Sequence, residues 1–240
     1  MFRKFRAALR LRRWRRRARW RRIRRVLVRL LLVLVLFPPL WVASYRIIDP
    51  PITYLMVQEW VRLGDIDRSW RDLEEISPHL PRAVMGGEDA RFCDHWGFDF
   101  EEIAKALEDE DRRRGASTLT QQVAKNVFLW PDASWLRKGL EAGFAVLIEA
   151  FWPKRRIMEV YLNVAEMDEG AFGAEAASQR YFGVSASELT LTQSARIAAI
   201  LPNPKARNAA QPTSYLIRRS SAIADGAETL RANGRADCAR

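Results

Sequence analysis

Residues 88–99 read EDARFCDHWGFD, and residues 115–126, one short connection later, read GASTLTQQVAKN. The first segment sets two adjacent carboxylates, Glu88 and Asp89, among Phe92, Trp96, Phe98 and Phe100, a setting in which burial can tune a carboxylate's pKa. In the second, Leu119, Val123 and Val127 step by four, and so do Ser117, Gln121 and Lys125. At helical spacing this gives one apolar face for a core and one polar face carrying hydroxyl, amide and ammonium groups. Spacing alone leaves that polar face open between a solvated surface and a lining for a ligand.

Working outward, the same period recurs. Helices are expected over 52–63, lying near a bilayer or in the core, and over 99–112, begun by Asp99 and Glu102 as a capping box. Ser117 should open a helix reaching about 129. Residues 135–151 read as a buried helix with Leu136, Leu140, Phe144, Leu147 and Phe151 on one face and Arg137 and Glu141 as an i,i+4 pair beside it. Pro153 suits the start of a helix to 163. A loop from 164 leads to a short helix ending at Gly183, and 191–201 and 215–230 complete the set. Residues 65–77 read as a surface connection, and Gly86 and Gly87 permit a close approach just before Glu88. No stretch alternates Val, Ile or Thr at period two, so an all-α fold is expected.

The formal charge of +11 invites a nucleic-acid reading. Its location argues against one. Residues 1–29 hold 15 Lys or Arg and no acid, which leaves 25 basic against 29 acidic residues in the rest of the chain. No nucleic-acid partner is expected. Directly after the basic run, residues 30–45 carry no charge, and 26–48 are interrupted only by Arg29 and Arg46, which can snorkel, with Trp41 and Tyr45 suited to an interface. This reads as one transmembrane anchor over 26–48, kinked or unwound by Pro38 and Pro39. A cleaved signal peptide is the rival, disfavoured by the length of the basic region and by the lack of a clean small-x-small site. The positive-inside rule then puts a basic tail, 1–25, in the cytoplasm and a domain over 49–240 on the far side.

Cys93 and Cys238 are too few for a disulfide framework and are expected to be free thiols, the second on a mobile end. With only His79 and His95, a zinc site or a Ser-His-Asp triad has little material, and no metal site is expected.

Four ordered segments, EDARFCDHWGFD at 88–99, GASTLTQQVAKN at 115–126, RKGLE at 137–141 and KRRIMEVYLN at 154–163, resemble the successive motifs of the peptidoglycan glycosyltransferases, glycosyltransferase family 51. YFGVSASELT and LPNP downstream fit the same pattern, so the likeness spans about 75–205, and the end of the chain soon after LPNP matches the monofunctional biosynthetic form, related to the transglycosylase domain of class A penicillin-binding proteins. The resemblance implies a lysozyme-like helical domain. It implies an enzyme that polymerises lipid-linked disaccharide-pentapeptide (lipid II) into β-1,4 glycan and releases undecaprenyl pyrophosphate with inversion. On that resemblance Glu88 is the general base and Glu141 the second catalytic acid. Ser117, Gln121, Gln122, Lys125, Arg137 and Lys138 would bind pyrophosphate and sugar, while Asp89, Phe92, His95 and Asn163 support the site.

No cofactor is expected to be required, and a divalent cation at the pyrophosphate is left open. The implied partners are lipid II, the growing lipid-linked glycan chain and the membrane itself, with cell-wall synthesis proteins unidentified. The implied location is the bacterial inner membrane, crossed once, with the catalytic domain in the periplasm. Two departures stand out: Ala133 where relatives often carry arginine, and Gln193 where glutamate is common. A lytic hydrolase of lysozyme type and a non-catalytic scaffold of the wall machinery are the competing readings. A hydrolase would have no use for a cationic stripe or an anchor.

Overall fold

The computed structural model describes residues 2–108 and 117–239, in two units, Met1–Ser44 and Tyr45–Arg240. Arg112 and Gly115, assigned above to a helix end and a connection, lie outside the described residues.

The first unit is one helix, α1 (Phe2–Ser44). Its segment Arg19–Ser44 is long and apolar enough to cross a membrane, since 26 residues at about 1.5 Å each exceed a hydrocarbon core of roughly 30 Å. The expected unwinding at Pro38 and Pro39 does not occur: both lie inside the helix, which runs on to Ser44 and stops short of residue 48.

The second unit begins with α2 (Tyr54–Leu63), capped by Thr53, whose hydroxyl accepts from the Met56 amide at 3.3 Å. Gly64 ends it in the left-handed region at φ +84°, where a side chain would be strained. One side of this helix belongs to the core and the other does not. Met56 and Glu59 are buried, whereas Val57, Trp60 and Val61 stand in solvent. Glu59 pairs with Arg62 and with Lys205 at 2.6 Å, tying the helix to a 3-10 turn at Pro204–Ala206.

The remaining helices are α3 (His79–Glu88), α4 (Phe100–Glu108), α5 (Leu119–Phe128), α6 (Trp135–Phe151), α7 (Lys154–Val164), α8 (Ala174–Phe182), α9 (Leu191–Ile200) and α10 (Ser214–Ala232). The core has two groups: α3 packs against α9 and α10, and α5 packs against α6 and α7. A small sheet packs against α8, with β1 (Asp67–Arg68) parallel to β3 (Ala171–Phe172) and β2 (Glu166–Asp168) antiparallel to it. Strands of two or three residues are too short to show alternation, so the helical expectation holds with this addition.

Caps set most boundaries. Asp99 accepts from the amides of Glu101 and Glu102 at 3.1 Å, but Glu102 turns to Lys105 instead of closing the box. Thr118, not Ser117, caps α5, and Gln121 returns the bond to the Thr118 amide at 3.0 Å. Thr190 and Gln193 form the same reciprocal box on α9, which gives Gln193 its structural role.

Two expectations are overturned. The Leu136 and Leu140 side of α6 is not buried. Leu136 is 71 % exposed, Trp135 is 93 % exposed, and the helix instead turns Glu141, Ala145 and Ile148 inward. Glu141 lies on the buried side, paired to Arg137 and Lys138 of its own helix. Phe144 keeps a partial contact by stacking on Phe128 at 4.8 Å.

The cysteines are not free. Cys93 and Cys238 form a disulfide across 145 residues. The C-terminal segment is held rather than mobile: Ala236 and Ala239 are buried, a 3-10 turn at Asp237–Ala239 packs on α7, and Arg235 pairs with Asp94 beside Cys93.

Candidate active site

Glu88 is the last residue of α3, half-buried, and its carboxylate accepts from the Gln122 side-chain amide at 3.0 Å. The Gln122 carbonyl in turn accepts from the buried Tyr161 hydroxyl of α7 at 3.3 Å. Burial pushes the Glu88 carboxyl above its ordinary value, and the bond from Gln122 and the charges of Arg219, Lys125 and Arg207 work against that rise. The expected aromatic enclosure is not what shelters it. Trp96 and Phe100 are exposed, and Phe92 is fully buried in the core with the Lys154 ammonium 4.5 Å from its ring centre. The desolvated carboxylate is held by helix packing and one amide.

Asp89, one residue on, does different work. It is buried and accepts from the Leu119 amide at 3.0 Å, and it bonds His95 Nε2 at 2.9 Å. It thereby joins the end of α3 to the first residue of α5, which fixes Gln122 relative to Glu88. Asn163 is also buried and pairs with both the amide and the carbonyl of Arg71 at 2.8 Å, pinning α7 to the chain after β1. A Cβ on Gly173, at φ +89°, would lie 3.1 Å from the Asn163 backbone.

Lys125 lies on α5, three residues beyond Gln122, with its side chain open to solvent. Partial desolvation lowers its pKa, with Glu141 opposing and Arg137 and Lys138 adding to the fall. Glu141 is buried on α6 and holds Arg137 at 2.7 Å and Lys138 in a closer contact. Lys138 also reaches the Ser117 hydroxyl at 3.5 Å. Ser117, Lys125, Arg137, Lys138 and Glu141 are thus one cluster. Its three cations face a single carboxylate, an excess suited to an anion. Gln121 does not join them, because it is buried and its carbonyl serves the cap of α5.

Asp89, His95 and Asp99 each bring one ligand atom within 4.8 Å of the others. They do not fit a divalent ion well. Asp89 and Asp99 already accept backbone amides, and the Arg91 guanidinium is 3.6 Å from Asp99.

Sequence reasoning missed Tyr161, Arg219 of α10, and Arg207, which follows the Pro204–Ala206 turn. Tyr161 lies inside KRRIMEVYLN and its buried hydroxyl needed a partner, a signal that was present. Arg207 and Arg219 carry no local pattern and reach Glu88 only through the fold.

A half-buried carboxylate thus shares a helical scaffold with a cluster richer in cations than in acids. Comparison with known proteins gives the class. A model of the family described as Transglycosylase matches residues 56–228. A biosynthetic peptidoglycan transglycosylase of Caulobacter vibrioides is 52 % identical over 221 residues, 91 % of this chain and 96 % of that protein. Proteins of the same description from a Jannaschia species and from Pseudomonas fluorescens SBW25 are 51 % and 50 % identical, covering 82 % and 81 % of this chain and 82 % and 85 % of their own lengths. The chain belongs to the transglycosylase family. It is a peptidoglycan transglycosylase, a glycosyltransferase, with one N-terminal helix able to span a membrane.

Proposed function

We propose that the chain polymerises lipid II into β-1,4 glycan strands with release of undecaprenyl pyrophosphate, by inversion, with Glu88 as the general base. The observation that carries the reading is the Glu88 carboxylate, kept basic by burial and aimed by Gln122, under the charge of Lys125. In the transfer, the acceptor sugar's 4-hydroxyl gives its proton to Glu88 while its oxygen bonds to the donor's anomeric carbon. The bond from that carbon to the diphosphate oxygen breaks, and the electron pair leaves with the diphosphate. Lys125, Arg137, Lys138 and Ser117 gather round the charge that develops there, which lowers the barrier more than it tightens ground-state binding. Glu141 orients Arg137 and Lys138. No metal is needed in this scheme.

The donor is the growing lipid-linked chain. The protein crosses the bacterial inner membrane once, with its basic N-terminus in the cytoplasm. The Cys93–Cys238 bond supports a domain on the oxidising, periplasmic side.

Purified full chain in lipid or detergent, supplied with lipid II, should give long glycan. Glu88→Gln should lower the rate by about 10² to 10⁴, and Lys125→Ala should lower kcat. Soluble muropeptides released from sacculi without polymer would overturn the reading, and equal polymer from wild type and Glu88→Gln would remove Glu88 as base.

A further inference from the structure

The Gln122 amide that meets Glu88 is itself held from behind, by a residue that the scheme above leaves unused. Tyr161 is buried, and its hydroxyl lies 3.3 Å from the Gln122 carbonyl oxygen, while the Gln122 amide nitrogen lies 3.0 Å from Glu88 Oε2. An ionised carboxylate only accepts, so the amide hydrogens must face Glu88. The carbonyl must then face Tyr161, which donates to it. Burial, and after it the charge of Glu88, push the Tyr161 phenol well above its ordinary value, so it keeps the proton it donates. Among the described residues, Glu88 Oε1 accepts no hydrogen bond.

Tyr161 is a fixed post because α7 is clamped on its other side. Glu159 and Asn163 are i, i+4 neighbours on one face of that helix, and position 161, two residues from each, falls on the opposite face. Both are buried, and both bond to the chain after β1. Glu159 accepts from the Leu73 amide at 3.1 Å, and Asn163 holds the Arg71 amide and carbonyl at 2.8 Å. The other face packs on α5, where Tyr161 reaches Gln122. Gln122 is a half-buried side chain with several rotatable bonds, and without an anchor it would divide its time between Glu88 and solvent.

We propose that Tyr161 is a positioning residue for the transfer: its hydroxyl pins the Gln122 amide, so that one N–H occupies Glu88 Oε2 and Oε1 is left for the acceptor hydroxyl. The proposal rests on Glu88 as the base, and it gives Gln122 a role other than the pyrophosphate or sugar contact that the resemblance implies. Tyr161 acts only through Gln122. The relay sets the aim of the carboxylate and also its protonation, because the bond from Gln122 favours the charged form against burial. A looser Gln122 leaves Glu88 protonated at higher pH.

Tyr161→Phe removes one oxygen and keeps the ring. In the full chain supplied with lipid II it should lower kcat by about tenfold, the partial loss of a charge-assisted bond, with KM within about threefold of wild type. It should also move the acidic limb of the kcat/KM profile to higher pH. Gln122→Met, which keeps the length and removes the amide, should do the same more strongly. In Tyr161→Phe/Gln122→Met the first substitution should add nothing, since its route is gone. A packing role would lower the melting temperature and leave the pH profile in place.

The Glu88 carboxyl can also be followed without turnover, by carbon-13 NMR of glutamate-labelled full chain in detergent, its signal being the one that Glu88→Gln removes. Tyr161→Phe should raise the titration midpoint. A ring-fluorinated tyrosine at position 161, a stronger donor of nearly the same volume, should lower it, a change of sign that no packing effect produces. A midpoint that ignores both substitutions, or losses that add in the double variant, would overturn the proposal. A midpoint that rises while wild type and Tyr161→Phe share one pH profile of glycan synthesis leaves the relay standing and removes Glu88 as base.

Discussion

The disulfide is the feature whose removal has the most calculable effect. Cys93 lies within the stretch 88–99 and Cys238 near the C-terminal end, so the bond closes a loop spanning 145 residues of separation. In the chain-entropy account, crosslinking a loop of that length removes about 5 kcal/mol of denatured-state entropy at 25 °C. The native body offsets part of any loss. The Asp237–Ala239 turn can fray while α3, α9 and α10 stay packed, so about 3–5 kcal/mol is expected for Cys93→Ser/Cys238→Ser. For a unit the size of Tyr45–Arg240, that corresponds to a melting temperature lower by roughly 8–15 °C. The assay is thermal unfolding of the full chain in detergent followed by near-ultraviolet circular dichroism, wild type against the double variant, each with and without reductant. Only wild type should respond to reductant. A difference below about 2 °C, or two titratable thiols in unreduced wild type, would refute the reasoning.

Glu88 predicts a pH dependence of opposite sign for activity and stability. Its carboxyl is raised by burial, so the rate should fall as pH drops through a pKa above the ordinary 4.5, seen in the pH profile of kcat/KM. The fold favours the neutral form. Its stabilising contribution is fully present below 4.5 and is lost as pH rises through the raised value, so Glu88→Gln should melt higher than wild type at pH 8, with the margin shrinking toward pH 5. A variant that melts lower at pH 8 would contradict this. Glu141→Gln should lower stability by about 1–3 kcal/mol, because Arg137 and Lys138 lose the buried carboxylate that holds them together, and should cut turnover at least tenfold. An unchanged melting temperature would show that the pair contributes nothing.

The helices were legible because their signals are local. α6 spans the stretch 135–151 expected from its period, whereas the capping boxes of Thr118 with Gln121 and Thr190 with Gln193 went unread, the first in favour of Ser117. What period could not supply was rotation. On α6 the aliphatic stripe was the natural choice for the buried side, yet Leu136 and Leu140 are exposed and Glu141 is buried with Arg137 and Lys138 of the same helix paired to it. Periodicity says that a helix has two faces, and which of them the rest of the chain covers is decided by tertiary packing.

The site divides along the same line. Glu88, Lys125, Arg137, Lys138 and Glu141 lie in short ordered segments, so a motif can bring them to notice before any fold is known. Arg207 and Arg219 follow those segments by dozens of residues, and nothing in their neighbours marks them. For Arg219 the route to Glu88 is a tertiary contact, the approach of α3 to α10 at Gly86. The glycine pair before Glu88 was visible as a place where something comes close, but the sequence left open whether that was ligand or backbone. It is α10 that comes close at Gly86, and with it Arg219, whose charge acts on Glu88. A residue chosen to admit a helix thus also sets the electrostatics of the carboxylate two positions on, which is why Gly86→Ala should disturb Glu88 without touching it.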